Sequence, residues 1–131
     1  MTGLDTWYDY MRGHDPAVLW DLLHPDAVFE SPVVHTPQRG RDIVFKYLVG
    51  AEKVLGGAGF AYRGEWRNER SVILEFDTTL EGIAINGVDM ITFDSNDRIV
   101  HFKVMVRPLK AINVLHRLMG EQLATQPSTS A

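Results

Sequence analysis

From Phe60 to Val106 the sequence alternates apolar and polar residues with the two-residue period of a half-buried strand, and this stretch constrains the fold more than any other. Phe60, Tyr62 and Trp66 stand against Arg63, Glu65 and Arg67, while Val72, Leu74 and Phe76 stand against Glu75 and Asp77. Val88 to Asp94 and Arg98 to Val106 carry the pattern on, either side of a tight Ser95-Asn96-Asp97 turn. Glu81-Gly82 reads as the hairpin turn between the two middle strands, with Asn86-Gly87 as a rival turn or a mid-strand bulge. Four consecutive strands joined this closely read as antiparallel, and each has one apolar face to cover.

The cover lies in the first half of the chain. Two short helices break at Gly13-His14-Asp15-Pro16, where Asp15 can cap the second and Pro16 fits its first position. Val18, Leu19, Leu22 and Leu23 share one face of that helix, His24-Pro25-Asp26 ends it, and Ala27 to Glu30 reads as a short strand. Arg41 to Leu55 is the longest helical pattern, with Ile43, Val44, Tyr47, Leu48, Ala51 and Leu55 on one stripe and Gly56-Gly57 as the stop. Pro108 opens a last helix reaching about Ala124. Helices first and consecutive strands after them define an α+β class, with a strongly curved sheet wrapped on helices. One domain over 1–124 is expected, followed by a polar, disordered tail over 125–131.

Composition narrows the partners. With no cysteine there is no disulfide, thiolate metal site or cysteine nucleophile, which suits a reducing compartment. No basic lead precedes an apolar run and no segment approaches a membrane span, so a cytoplasmic protein is expected. A net charge of −4 without a Lys/Arg cluster argues against nucleic acid and a membrane surface, and for a small molecule or another protein.

Three stretches, HPDAVFESPV (24–33), PQRGRD (37–42) and GVDMITFDSNDRIVHFKV (87–104), occur in an order that resembles the NTF2-like superfamily, which includes ketosteroid isomerases and SnoaL-like polyketide cyclases. The resemblance spans about Asp5 to Met105. It implies a cone-shaped α+β fold with an apolar pocket between the curved sheet and the helices, and a homodimer packed through the outer sheet face. Residue by residue, the isomerases' proton-shuttling aspartate falls on Ser31 and their oxyanion-donating tyrosine on Trp7, whereas their acid on the penultimate strand is matched by Asp89. The SnoaL-like cyclases place their acid/base aspartate at this last position. Steroid isomerisation is therefore not expected, and the cyclase-like reading keeps its central residue.

Asp89 shares strand parity with Ile91 and Phe93, so its carboxyl should face the apolar interior, where burial raises its pKa toward that of a general acid or base. The plainer reading has it capping a turn near Asn86-Gly87 or pairing with an arginine. His35, in the loop after the first strand, is the second candidate for proton transfer, with an exposed loop histidine as the alternative. Ser31 could bond a ligand, although Ser before Pro at a strand end is also common turn chemistry. Trp7, Phe29, Tyr47, Tyr62 and Trp66 supply aromatic lining wherever their faces point inward. Leu74, Phe76, Ile91, Phe102 and Val104 complete the inner face by alternation. The same alternation puts Ile73, Glu75, Lys103, Met105 and Arg107 outside, as a mixed apolar and charged surface that suits a homodimer interface.

The five histidines show no ligand spacing, so no metal is expected, and no cofactor either, because the glycines at 56, 57 and 59 make no phosphate cradle. No G-x-S-x-G elbow is present. Two functions follow: a pocket protein for an apolar or aromatic ligand, performing isomerisation, cyclisation, dehydration or hydrolysis through Asp89, or a non-catalytic binding or dimerisation module of the same fold.

Overall fold

A computed structural model describes residues 2–125. Met1 and residues 126–131 lie outside the described residues, and with them all of the expected tail except Thr125, which closes the last helix. The elements run α1 (Thr2–Gly13), α2 (Pro16–Leu22), β1 (Leu23–Glu30), β2 (Gln38–Arg39), α3 (Arg41–Leu55), β3 (Ala61–Arg67), β4 (Ser71–Leu80), β5 (Ile83–Phe93), β6 (Ile99–Arg107) and α4 (Leu109–Thr125). Together they make an α+β fold.

The sheet order is β2-β1-β6-β5-β4-β3, and the last four strands are antiparallel neighbours. Two pairings have no trace in the alternation. β1 joins β6 in parallel, Phe29 opposite Phe102, and the two-residue β2 pairs back on β1 through Val28 and Arg39. Gln38 and Arg39 are too few and too polar to announce a strand; the backbone of β1 recruits them.

Local chemistry fixes the joints. Asp15 accepts the Ala17 amide at 3.0 Å and Pro16 sits in the first turn of α2. The Arg41 guanidinium lies over the Trp20 ring, 4.7 Å from its centroid, and donates twice to the Leu23 carbonyl, which ties the start of α3 to the start of β1. Leu80 pairs with Ile83 across Glu81 and Gly82, both with positive φ (51° and 78°), so the turn falls there. Asn86-Gly87 lies mid-strand. A Cβ on Gly87 would come within 2.5 Å of the Phe76 ring and 2.7 Å of the Met105 carbonyl, so only glycine lets Phe76 lie flat against β5.

One expectation is overturned by a bulge. In β3, Tyr62 pairs with Phe76 but Gly64 pairs with Glu75, so Arg63 is the extra residue and the parity flips after it. Trp66, expected to line the interior, instead pairs with Ile73 on the outer face and is 56% exposed.

The core fills the space between the concave sheet face and the helices. Leu4, Trp7 and Tyr10 from α1, Val44 and Leu48 from α3, and Leu115 and Met119 from α4 are buried against Leu74, Phe76, Ile91 and Phe102.

Candidate functional site

Within that core the side chains leave a narrow cavity of about 50 Å³. From the helices it is lined by Trp7, Met11, Leu48, Leu55, Leu115 and Met119, and from the sheet by Phe29, Phe76, Asp89, Phe102 and Val104. Ser31, Pro32 and Val33 close one side, where the Ser31 hydroxyl accepts the Val33 amide at 3.1 Å. The wall is largely aromatic: Trp7 and Phe102 meet at 5.0 Å between centroids, and Phe60 stacks on Phe76 at 5.2 Å.

Asp89 is the acid in this wall that the sheet supplies, and only 7% of it is exposed. Strand parity puts it there, opposite Leu74 on β4 and Val104 on β6. The Tyr62 hydroxyl donates to Asp89 Oδ2 at 2.6 Å and in turn accepts the Trp7 indole N–H at 3.1 Å. Among the described residues the other carboxyl oxygen, Oδ1, has no hydrogen-bond partner. Burial pushes the Asp89 pKa up to about 7, against the smaller lowering effect of the Tyr62 bond. Burial, and then the Asp89 charge, push the Tyr62 pKa well above its usual value, so Tyr62 stays a donor. Near neutral pH the site therefore holds a carboxyl close to half-protonated in an apolar wall. It can give a proton or hydrogen bond to a ligand oxygen, or accept one.

The expected residues divide. Trp7, Phe29, Ser31, Phe76, Asp89, Phe102 and Val104 line one cavity, with Tyr62 immediately behind Asp89. Leu74 and Ile91 face inward but are wholly buried in the packed core beside it. Tyr47 packs on Phe29 at 5.7 Å, one layer back from the cavity. Trp66 is on the opposite sheet face. His35 does not reach the cavity: after Ser31-Pro32-Val33 the chain turns to the outer side, and exposed His35 lies over a shallow groove with Glu30, Lys103, Met105 and Val106.

Sequence reasoning missed Glu52, which lines the cavity from α3. Its signal was present. Glu52 falls four residues after Leu48 and three before Leu55, on the apolar stripe itself, where a carboxylate is out of place without a partner or a purpose. His14 meets it, Nδ1 lying 2.5 Å from Glu52 Oε1.

A curved six-stranded sheet packed on its concave side by helices, with a C-terminal helix, is the NTF2-like fold. Residues 4–102 match the model of the SnoaL-like domain, and the chain belongs to that family. A Pseudomonas aeruginosa structure described as a steroid delta-isomerase is similar at 39% identity and TM-score 0.89, over 95% of this chain and 90% of that one. An uncharacterized bacterial protein with a cystatin-like fold from Silicibacter pomeroyi is similar at 26% identity and TM-score 0.86, over 95% and 86%. An NTF2-like protein of unknown function from Mesorhizobium loti shares the fold at 18% identity and TM-score 0.69, over 82% and 89%. No curated protein matches the chain.

Proposed function

We propose that this protein binds a small apolar or aromatic molecule in the cavity and moves a proton on it without a cofactor, Asp89 being the acid that holds or protonates a ligand oxygen. The observation that carries this reading is the Asp89 carboxyl, buried among aromatic rings with Oδ2 bonded to Tyr62 and Oδ1 without a protein partner among the described residues. Leaving such an oxygen unpaired costs about 1–3 kcal/mol, a cost that a ligand's carbonyl or hydroxyl would remove. Isomerisation, cyclisation, dehydration and hydrolysis all use an acid so placed. The similarity to a Pseudomonas aeruginosa structure described as a steroid delta-isomerase puts isomerisation first among them. Ser31 sets the condition that the base must come from elsewhere than the end of β1.

A non-catalytic ligand-binding or dimerisation module of the same fold, its pocket largely filled by its own side chains, is the second reading, and the narrowness of the cavity favours it. Drug-sized ligands occupy roughly 300–1,000 Å³, whereas the space here is about 50 Å³. Met11 and Met119 line it, and their unbranched side chains can swing aside for a ligand.

Titration with 2-tetralone, a compact aromatic ketone, followed by calorimetry tests the binding claim. The protein should take up one equivalent, and Asp89→Leu, which removes the acid but keeps apolar bulk, should weaken binding at least about tenfold. Equal binding by both would refute the role of Asp89.

We also propose that the outer sheet face joins two copies of the chain. Trp66, Ile73, Met90 and Lys103 form one cross-strand row there, and Glu75, Val88 and Met105 the next, so apolar surface is flanked by both charges.

A further inference from the structure

The acid proposed above needs a base, and the structure offers one candidate that is neither His35 nor anything on β1. Glu52 enters the same cavity as Asp89 from the other side, on α3 against the sheet. Its side chain is 16% exposed, among Leu48, Ala51, Leu55 and Gly56. One oxygen, Oε1, faces His14 Nδ1 at 2.5 Å, and Oε2 has no hydrogen-bond partner among the described residues. His14 is itself 48% exposed and follows α1 with a positive φ of 56°, its amide bonded to the Tyr10 carbonyl at 2.7 Å. The pair thus runs from solvent to cavity wall. Burial, and after it the negative charge of Glu52, raise the pKa of neighbouring Tyr10, so that phenol is no rival for the proton.

We infer that Glu52 is the general base of this site, working across the cavity from Asp89 on an apolar ketone that carries a hydrogen on the carbon beside its carbonyl. This rests on the proposed function and completes it. The Glu52 carboxylate takes the proton from that carbon as the C–H pair becomes the C=C bond of the enol, and the carbonyl oxygen gains a hydrogen bond or proton from Asp89. Return of the proton to the same carbon gives exchange; return to the far carbon of a neighbouring double bond gives isomerisation. Nothing else is consumed. Two acidic side chains line one apolar cavity, Asp89 buried with its pKa raised and Glu52 beside a histidine, and that gives the division into acid and base such chemistry requires.

The test is exchange of the C1 protons of 2-tetralone in D2O, followed by proton NMR, with binding measured on the same samples. Wild type should accelerate exchange over buffer. Glu52→Gln should bind the ketone within about threefold of wild type yet lose exchange by roughly 100-fold or more, the usual weight of a positioned base. Glu52→Asp, one methylene shorter, should recover part of it. Retained binding by Glu52→Gln shows that the variant is folded. If Glu52→Gln exchanges as fast as wild type, the inference fails and the reading of Asp89 stands. If wild type binds 2-tetralone but exchanges it no faster than buffer, Glu52 is not a base and the non-catalytic reading takes over. If wild type does not bind at all, both fall.

Discussion

At the scale of the residue, Asp89 is a carboxyl that the fold holds at a cost. Its pKa rises from 3.8 toward about 7 on folding, so between those values the folded chain binds more protons than the unfolded one. The contribution of Asp89 to stability is then fully present below about pH 4, is lost as pH rises through 7, and levels off above. Each unit of displacement corresponds to about 1.4 kcal/mol, so the span is on the order of 4 kcal/mol. Asp89→Asn keeps an oxygen for the Tyr62 donor and removes the charge. Chemical denaturation at pH 8.5 should find this variant more stable than wild type by about 2–4 kcal/mol, and the difference should shrink toward pH 4; a constant difference would place the buried charge elsewhere. Asp89 was legible because strand parity alone assigns its side. Glu52 escaped because an apolar stripe is read by its apolar members, and one acid in a helical stripe resembles noise until a cavity is seen beside it. His35 misled because a loop position does not say on which side of the sheet the loop crosses.

At the scale of the element, the type and order of the strands and helices could be read, since the periods 2 and 3.6 are directly visible, but β1 begins at Leu23 rather than Ala27 and β5 at Ile83 rather than Val88, and three further local departures could not be read. A single extra residue at Arg63 turned Trp66 outward, and the only mark of that bulge in YRGEW is Gly64, the isolated strand glycine beside it. The parallel pairing of β1 with β6 and the recruitment of β2 arise from backbone groups, which have no residue signature. Gly87 is the converse case, read as a rival turn but required by close approach. Gly87→Ala should destabilise the protein by about 1–3 kcal/mol, because its methyl must move Phe76 or the Met105 carbonyl. The Phe76 ring is part of the cavity wall, so ketone binding should weaken with it. Thermal denaturation and calorimetry on the one variant check both; unchanged melting would show that β5 accommodates the methyl.

At the scale of the whole molecule, the sheet separates two surfaces, a concave one around Asp89 and an outer one carrying Trp66, Ile73 and Met105. The outer rows predict a dimer in solution. Met105→Glu should convert it to a monomer by light scattering, since a second carboxylate would be buried in the same row as Glu75; a wild-type monomer would refute the interface. Class and sheet order among β3 to β6 were accessible from pattern alone. Ligand identity was not, because apolar lining fixes shape and not chemistry. The central claim is that the fold keeps an acid ready on the cavity wall. Carbon-detected NMR of the Asp89 carboxyl against pH tests it most directly: a midpoint near 7, displaced upward when 2-tetralone is bound, is the expected result. A midpoint near 4 that ignores the ketone would contradict it.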